Sequence, residues 1–404
     1  MKIACFAVTL ACCAGVAMAQ SGAYSNIREY PVPTSHSLPN FIVLGPDGAL
    51  WFSEYFGQKI GRVTTAGVFT EYRTPTALSG PQCITVGSDG ALWFTEYFAQ
   101  QIGRITTDGM ITEYPVPGHR VYLTGISAGP DGALWFAGYG SNSIGRMNIN
   151  GVVTDSYPIP TSDSGPAQIA AGPDGALWFT EAYGNKIGRI TTSGSITEYP
   201  VPTANSYPDG ITAGPDGAVW FTELKGSAIG RITKRGAITE YAAQGTTPVA
   251  ITTGPDGALW FSGGSSTLGR ITTTGVITQY PTPTANGDLF GVAAGPDGNL
   301  WFTEYMADNI GRAPACGLGL RAGFANDTLT MTFDLGIDRP ANWSLSVTNG
   351  IGQVQPIPAT VPPRAFSINW FPFAASGDVT VNSALSNDAG QTICSEYVTV
   401  NTGQ

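Results

Sequence analysis

The sequence predicts an all-β protein, a seven-bladed β-propeller followed by a small β-sandwich, and three observations predict it. A phrase close to G-P-D-G-A-L-W-F-T-E, followed downstream by I-G-R-I-T-T, recurs through most of the chain. Successive copies lie 40 to 43 residues apart, the length of one four-stranded blade. The repeat stops near Cys316 and gives way to shorter, irregular strand patterns. The seven copies are marked by Trp51, Trp93, Trp135, Trp178, Trp220, Trp260 and Trp301.

The fifth copy shows how one repeat forms a blade. Residues 211–213 form a short inner strand, and the Gly-Pro-Asp-Gly sequence at 214–217 is typical of a tight turn. The second and third strands are predicted at 218–223 and 228–233, and the outer strand at 237–241. Four antiparallel strands in a meander make one propeller blade.

The outer strand of the last blade is predicted to come from the other end of the propeller. The outer-strand phrase follows the first six copies, but after the seventh Gly311-Arg312 runs directly into Ala313. A matching phrase at 27–31 precedes the first copy, so we expect residues 24–31 to close the ring and remove its open sheet edges. The propeller is predicted to span 20–312 and the β-sandwich 313–404.

The first 19 residues are typical of a secretory signal peptide. Lys2 precedes an apolar stretch that ends in Ala17-Met18-Ala19, an A-x-A cleavage pattern. We therefore expect a mature chain from Gln20 that is secreted or periplasmic. A lipid anchor at Cys12 is the alternative, although the residues before it fit a lipoprotein signal poorly.

Export permits a disulfide bond. Cys316 and Cys394 bracket the last domain and are the natural pair. Cys83 then stays unpaired, as a small buried apolar side chain.

The surface charge limits the class of partner. Only 12% of the 404 residues are charged, and the net charge is −10. Such an acidic, weakly charged surface argues against nucleic acid and anionic membranes as binding partners. It suits the binding of a neutral or cationic ligand or of a metal ion. We expect a monomer.

Propeller geometry predicts a ligand site at one mouth of the central channel. The second strand of each blade ends, and the first strand begins, on the same face, where loops from all blades converge. Clustered carboxylates there can hold a divalent cation or act as acid and base, so Glu54, Glu96 and Glu304 of three neighbouring blades are candidate metal ligands. The second strand ends in Glu54, Glu96, Glu181, Glu223 and Glu304 in five blades, and in Gly138 and Gly263 in the third and sixth.

The same glutamates could instead have a structural role. A residue that is repeated from blade to blade favours such a role, because a single active site needs its residues only once. Each could pair with an arginine on the neighbouring third strand. The turn aspartates are expected to form turns on the opposite face, and the tryptophans to form the core between blades. The arginines are Arg62, Arg104, Arg146, Arg189, Arg231, Arg270 and Arg312; the aspartates are Asp47, Asp89, Asp131, Asp174, Asp216, Asp256 and Asp297.

Features that break the repeat are more specific candidates for function. His36 and His119 lie in loops on the candidate ligand face, and each is either an alternative general base or a solvated loop residue. Aromatic side chains after the glutamates predict an apolar rim suited to a bulky, partly apolar ligand such as a small cyclic peptide. They are Tyr55, Phe56, Tyr97, Phe98, Tyr183 and Tyr305.

The repeated phrases at 172–181 and 187–190 resemble those of the virginiamycin B lyase family, and the resemblance covers about residues 24–312. It implies a seven-bladed propeller that opens a cyclic depsipeptide without water. In that family a base removes an α proton, Mg²⁺ helps to hold the developing enolate, and the lactone oxygen leaves. The base is a histidine in a P-H-G-I phrase at the start of an inner strand, followed 14 residues later by a glutamate.

This chain departs from that pattern at the base. The closest match is Pro208-Asp209-Gly210-Ile211, with Glu223 at the family's spacing and Asp209 at the histidine position. Two functions follow: a carbon–oxygen lyase with Asp209 and Glu223 at its site and Mg²⁺ bound, or a propeller that binds a ligand or protein without chemistry. The other blades carry Asn40, Gln82, Thr124, Ala167, Val249 and Phe290 at this position.

Overall fold

A computed structural model describes residues 27–315 and seven further strands between 321 and 401. Among these residues no helix is long and apolar enough to cross a membrane. The strands of the first part are β1 (Arg28–Pro31), β2 (Pro39–Leu44), β3 (Leu50–Glu54), β4 (Lys59–Val63), β5 (Phe69–Arg73), β6 (Pro81–Val86), β7 (Leu92–Glu96), β8 (Gln101–Ile105), β9 (Ile111–Pro115), β10 (Leu123–Ala128), β11 (Leu134–Gly138), β12 (Ser143–Met147), β13 (Val153–Pro158), β14 (Pro166–Ala171), β15 (Leu177–Glu181), β16 (Lys186–Ile190), β17 (Ile196–Pro200), β18 (Pro208–Ala213), β19 (Val219–Glu223), β20 (Ala228–Ile232), β21 (Ile238–Ala242), β22 (Ile251–Thr253), β23 (Leu259–Ser262), β24 (Thr267–Ile271), β25 (Ile277–Pro281), β26 (Leu289–Ala294), β27 (Asn299–Glu304) and β28 (Asn309–Pro314).

These strands form seven four-stranded antiparallel sheets, which confirms the predicted all-β, seven-bladed propeller. Six sheets are simple meanders such as β18-β19-β20-β21. In most blades the inner strand is irregular near its start: in the fifth blade Pro208 pairs with Glu223, and the regular register resumes at Ile211 opposite Phe221. This irregularity changes the direction of the inner strand at its start, beside the channel. Asp209 lies in this irregular part of the strand.

The seventh sheet has the order β1-β28-β27-β26, so its outer strand comes from the N-terminal part of the chain. Arg28 pairs with Arg312 and Pro31 with Asn309. Tyr30 stacks on Trp301 with ring centroids 5.7 Å apart. The Glu29 carboxylate accepts hydrogen bonds from the Thr284 backbone N–H at 2.9 Å and hydroxyl at 2.7 Å. Backbone, aromatic and polar contacts therefore all join the two ends of the ring.

The C-terminal strands form two antiparallel sheets, with orders β29-β30-β33 and β32-β31-β34-β35. The predicted sandwich arrangement of these sheets stays a prediction. The predicted signal peptide at 1–19 and the Cys316 end of the predicted disulfide lie outside the described residues. The strands are β29 (Arg321–Ala325), β30 (Thr328–Asp334), β31 (Asn342–Thr348), β32 (Val354–Ile357), β33 (Ala365–Trp370), β34 (Asp378–Ser386) and β35 (Thr392–Asn401).

The core of the propeller lies between neighbouring blades. Trp51 is fully buried and packs with Ile84, Leu92 and Phe94 of the next blade. The equivalent tryptophans of the other six blades are buried in the same way, which confirms their prediction as core residues. Cys83 is buried and carries a free thiol, as predicted.

Each arginine of a third strand pairs with the turn aspartate of its own blade, so the predicted pairing of arginine with the strand-end glutamate is wrong. In the first blade Asp47 accepts hydrogen bonds from the Trp51 indole N–H at 2.9 Å and from Arg62 Nε at 2.7 Å. The Arg62 guanidinium lies 5.8 Å from the Trp51 ring centroid. The reason is the register: Trp51 is opposite Arg62, whereas Glu54 is opposite Lys59. The same aspartate–arginine contact occurs in all seven blades.

Hydroxyl groups near the channel join each blade to the next. In the fifth blade the Thr222 hydroxyl accepts a hydrogen bond from the Gly210 N–H at 2.8 Å and donates one to the Val249 carbonyl of the sixth blade at 2.7 Å. Serine or threonine makes the same two bonds in six blades. The third blade has Ala137 instead, and there the Thr124 hydroxyl donates to the Pro166 carbonyl at 3.0 Å. We call this set the hydroxyl belt.

Replacing Thr222 with valine should destabilise the propeller by about 1 kcal/mol, because it removes two buried hydrogen bonds at constant side-chain volume. The Gly210 N–H and the Val249 carbonyl then keep only their direct bond to each other, at 3.0 Å. The matched control is Thr239→Val, at an exposed position on β21 of the same blade, for which a change within about 0.5 kcal/mol is expected. Urea unfolding of the two variants measures the difference, and equal midpoints would contradict the role assigned to the belt.

Candidate ligand site at the mouth of the channel

Aromatic side chains line the face on which the second strands end and the inner strands begin. Tyr97 is 6.5 Å from Tyr55 and 5.3 Å from Tyr122, measured between ring centroids. Tyr183 is 5.9 Å from Tyr139 and 5.4 Å from Tyr207. We call these side chains, together with Phe56, Phe98 and Tyr305, the aromatic mouth.

The aromatic mouth offers both apolar surface and hydroxyl groups. Phe56, Phe98 and Tyr183 are 59%, 51% and 61% exposed, which is unusual for such large apolar rings. Burial raises the pKa of Tyr55 and that of Tyr207 to about 12, so their hydroxyls remain protonated hydrogen-bond donors at neutral pH. Such a surface suits a bulky ligand with both apolar and carbonyl groups.

The sequence identified only part of this rim. Three tyrosines, Tyr122, Tyr139 and Tyr207, were not predicted. Tyr122 and Tyr207 precede an inner strand, whereas the predicted rim residues follow a second strand. Tyr139 does follow a second strand, but that strand ends in Gly138 and not in a glutamate. The signal was present: each lies beside a strand end on the face where the loops converge.

The starts of the inner strands form a mixed lining of the channel below the rim. Gln168 accepts a hydrogen bond from the Cys83 thiol at 3.5 Å, which joins the second blade to the fourth. Oδ1 of Asn40 and Oε1 of Gln82 are buried without a hydrogen-bond partner. Next to Asn40, the Phe41 ring meets the Phe290 ring of the seventh blade edge to face at 5.4 Å. The starts of the inner strands therefore combine polar and apolar groups.

Asp209 is the acidic residue at these strand starts. Its side chain is half-buried, and burial raises the pKa of its carboxyl to about 7. Its backbone carbonyl accepts a hydrogen bond from the Thr180 hydroxyl at 2.7 Å, which fixes the strand against the fourth blade. A carboxyl that titrates near neutrality beside a ligand site has the properties of a general base.

Glu223 does not join Asp209 at the mouth. Its side chain is fully buried, and both carboxyl oxygens lack a hydrogen bond of regular geometry. Burial, and then the charge of Glu240 on the outer strand, raise its pKa to about 7. The pKa of Asp209 is raised by burial alone, so the two carboxyls do not form an electrostatically coupled pair.

The same arrangement of two glutamates recurs in five blades. The strand-end glutamate is fully buried, and burial raises its pKa to about 8 in Glu54, Glu96 and Glu181 and about 7 in Glu223 and Glu304. The outer-strand glutamate nearby accepts hydrogen bonds from a threonine of the preceding loop. The outer-strand glutamates, in the same blade order, are Glu71, Glu113, Glu198, Glu240 and Glu29, and the threonines are Thr34, Thr76, Thr161, Thr203 and Thr284.

The third and sixth blades lack all three members of this set. In the third blade Gly118, Gly138 and Ser156 stand at the threonine and two glutamate positions, and in the sixth Gly245, Gly263 and Gln279. The joint loss of three residues indicates that they act as one unit. We call this unit the carboxyl triad.

The three predicted metal ligands lie in separate triads. The charges that shift the pKa of Glu54 belong to Glu71, Lys59 and Asp308, not to Glu96 or Glu304. Among the described residues no group of three histidine, cysteine, aspartate or glutamate side chains is placed to hold a metal ion. The residues present therefore do not fit a Mg²⁺ centre built from Glu54, Glu96 and Glu304.

Both histidines are exposed in loops that lead into inner strands. His36 has a left-handed backbone with φ of 57°, and its N–H donates to an Asp308 carboxyl oxygen at 2.5 Å. His119 lies in the loop before β10. Neither is at an inner-strand start, where Asp209 lies.

The buried glutamates should make the propeller less stable as the pH rises. Their folded pKa values, about 7 to about 8, exceed the unfolded value of 4.5, so the folded state binds more protons between these limits. Their stabilising contribution is complete below pH 4.5 and is lost as the pH rises through about 8. We expect urea unfolding to show a fall of at least about 1 kcal/mol per pH unit between pH 6 and 8. Replacing Glu54, Glu96 and Glu181 by glutamine should flatten this slope, and an unchanged slope would contradict it.

The comparisons with known proteins agree with this architecture. A model of the Virginiamycin B lyase family matches residues 9–205 and 120–321. A solved streptogramin B lyase is 38% identical, with a TM-score of 0.68, and the match covers 72% of this chain and 99% of that one. Selenomethionine-substituted virginiamycin B lyase from Staphylococcus aureus is 39% identical, with a TM-score of 0.68 and coverage of 71% and 98%.

A third match is a catalytically inactive histidine-to-alanine variant of the Staphylococcus aureus enzyme with Quinupristin, at the same identity, coverage and TM-score. The family match extends over more than half of the chain, and the solved enzymes align along almost their whole length. The repeats, the seven sheets and these matches together establish that the chain belongs to the virginiamycin B lyase family.

Proposed function

We propose that the protein is a carbon–oxygen lyase that opens a cyclic peptide lactone by elimination, with the aromatic mouth as its binding surface and Asp209 as its base. The observation that carries the proposal is the half-buried Asp209 carboxyl, with its pKa raised to about 7, at the start of an inner strand. This is the strand position at which the family's resemblance places a histidine base.

The reaction needs only one proton acceptor in the protein. The Asp209 carboxylate takes a proton from the carbon α to a carbonyl, and that electron pair forms a double bond to the β carbon. The bond from the β carbon to the ester oxygen breaks, and the carboxylate leaves with the bonding electrons. The product is a linear peptide of unchanged mass.

The aromatic mouth supports a bulky cyclic substrate. Its rings lie 5–7 Å apart over neighbouring blades, and the exposed ones offer flat faces to apolar side chains of the ligand. The protonated hydroxyls of Tyr55 and Tyr207 can donate hydrogen bonds to its carbonyl groups. The solved relative with Quinupristin supports the same ligand class.

Incubation with a streptogramin B lactone, followed by mass spectrometry, tests the proposal. The expected product is ring-opened with no change in mass, and a gain of one water would mean hydrolysis instead. Absence of turnover by the wild-type protein, with and without Mg²⁺, would overturn the lyase assignment.

A second function, binding without chemistry, is favoured by the position of Glu223. In the resemblance this residue belongs to the site, but here its carboxyl is fully buried beneath the mouth. Tyrosine fluorescence titrated with the same lactone separates the two functions. Saturable binding without product formation supports the binding protein, whereas binding with turnover supports the lyase.

A further inference from the structure

The fifth blade breaks the repeat at a second position on the mouth of the channel. Lys225 lies two residues beyond the strand-end glutamate Glu223. It is the one charged residue at this position of the repeat, and it belongs to the blade that carries the acid Asp209. The other six blades have an apolar or small residue or a tyrosine there: Phe56, Phe98, Gly140, Tyr183, Ser265 and Met306.

Backbone hydrogen bonds hold Lys225 beside Tyr207. The Leu224 N–H donates to the Tyr207 carbonyl at 3.1 Å, and the Lys225 N–H donates to the Ser206 carbonyl at 2.9 Å. The Lys225 ammonium lies 4.4 Å from the centroid of the Tyr207 ring, within the range at which a cation is attracted to a ring face. The side chain is exposed at the mouth, so a ligand can reach it.

The Lys225 ammonium forms no ion pair with a carboxylate among the residues that the structure describes. Two other lysines of the propeller differ in this respect. Lys59 lies 2.5 Å from the Glu71 carboxylate, and Lys186 lies 3.1 Å from that of Glu198. The charge of Lys225 is therefore available to an anionic group of a ligand, whereas those of Lys59 and Lys186 are already neutralised.

Two tyrosines link this ammonium to the base. The Tyr183 and Tyr207 ring centroids lie 5.4 Å apart. The pKa of Tyr183 is lowered by the hydroxyls of Tyr139 and Tyr207, and further by the charge of Lys225. Burial raises the pKa of Tyr207, and the charge of Asp209 adds to this shift. Burial alone raises the pKa of Asp209, so the base and the ammonium act on the same tyrosines without pairing with each other.

An elimination needs this combination of a base and an unpaired cation. The proton leaves the α carbon, whereas the negative charge ends on the carboxylate that departs from the β carbon. A base and a cation that formed an ion pair would neutralise each other before the substrate arrived. A cation that faces the developing charge in a fixed position stabilises the transition state more than the uncharged ester.

We propose that Lys225 is the carboxylate-binding residue of the aromatic mouth and holds the carboxylate that leaves when the lactone opens. This inference rests on the proposed function. As the bond between the β carbon and the ester oxygen breaks, its electron pair stays on that oxygen, and the α proton moves to Asp209. The Lys225 ammonium keeps its protons and neutralises the new charge, while the exposed Tyr183 hydroxyl donates a hydrogen bond to the same group.

A binding experiment tests the carboxylate site without requiring turnover. The probes are the linear acid made by alkaline hydrolysis of a streptogramin B lactone, and the C-terminal amide of the same peptide. In isothermal titration calorimetry the wild-type protein should bind the acid about 5-fold more tightly than the amide. Lys225→Met keeps the length of the side chain but should bind both equally, and Lys225→Arg should restore the preference.

The matched control is Lys234→Met, in an exposed turn of the same blade on the opposite face of the propeller. It should prefer the acid as strongly as the wild type. Equal affinities of the wild-type protein for the acid and the amide, or a preference that survives in Lys225→Met, would overturn the carboxylate site.

The kinetics of lactone opening separate this site from the proposed function. Lys225→Met should lower kcat about 10-fold with little change in KM, because the negative charge on the ester oxygen develops only in the transition state. An unchanged kcat would refute the role of Lys225 in elimination. Absence of turnover by the wild-type protein would refute the lyase, and the preference for the acid would then still decide whether Lys225 binds a carboxylate.

Discussion

Replacing Asp209 with asparagine should lower kcat/KM for elimination by about 10²–10⁴-fold, because the variant loses the proton acceptor while keeping the shape of the side chain. Binding should change little, since the aromatic mouth supplies most of the contact surface. The measurement is the initial rate of lactone opening, with the affinity taken from tyrosine fluorescence. Asp155→Asn, on an outer strand of the third blade, is the matched control, and its rate should equal that of the wild type.

The pH dependence of the same rate provides a separate check. The base must be ionised, and burial raises the pKa of Asp209 to about 7. Activity should therefore rise with pH through about 7 and then level off. A profile that is already flat from pH 5 upward, or an active Asp209→Asn variant, would assign the proton transfer to another residue. His36 and His119 would then be the residues to replace.

Removing residues 20–32 should destabilise the whole propeller, lowering the Tm by about 10 °C or more or preventing folding. The deletion removes the ladder with β28, the stacking of Tyr30 on Trp301 and the hydrogen bonds from Thr284 to Glu29. Removal of one fully buried aromatic side chain typically costs about 3–5 kcal/mol, and the half-buried Tyr30 is only one of the groups that this deletion removes. The deletion also leaves β28 as an open sheet edge.

A shorter deletion of residues 20–26 is the matched control, because it leaves β1 intact. It should unfold like the full-length protein in calorimetry. Tyr30→Ala gives an intermediate case that keeps the backbone of β1. If the longer deletion unfolds at the same temperature as the shorter one, the ring does not depend on this closure.

The fold could be predicted from the sequence because every blade repeats the same turn and strand residues. Gly-x-Asp-Gly fixes the turn, and the Trp-Phe pair that follows it fixes the second strand, so seven copies specify seven sheets. The arginine partners could not be assigned in this way. They depend on register, and only the ladder shows that Arg62 faces Trp51 while Glu54 faces Lys59.

The site was predicted less completely, because burial is a tertiary property. The sequence predicts that Glu54 and Glu223 lie at the mouth of the channel. In the structure both side chains are buried, covered by the loops that follow their strands. Their outer-strand partners, Glu71 and Glu240, lie 17 residues further along and were overlooked. Asp209 was found because it breaks a repeat at a position where the other six blades have no acid.

The loss of the carboxyl triad from the third and sixth blades divides the ring into unequal parts. Blades seven, one and two form one arc and blades four and five another, and every blade of both arcs has the threonine–glutamate hydrogen bonds of the triad. We therefore expect the third and sixth blades, which lie between these arcs and lack the triad, to be the least stable parts of the ring. In the third blade the second strand has Ala137 instead of a hydroxyl residue, and Thr124 supplies the link to the fourth blade. Circular permutation, or insertion of a second domain, should therefore be tolerated best in the third and sixth blades.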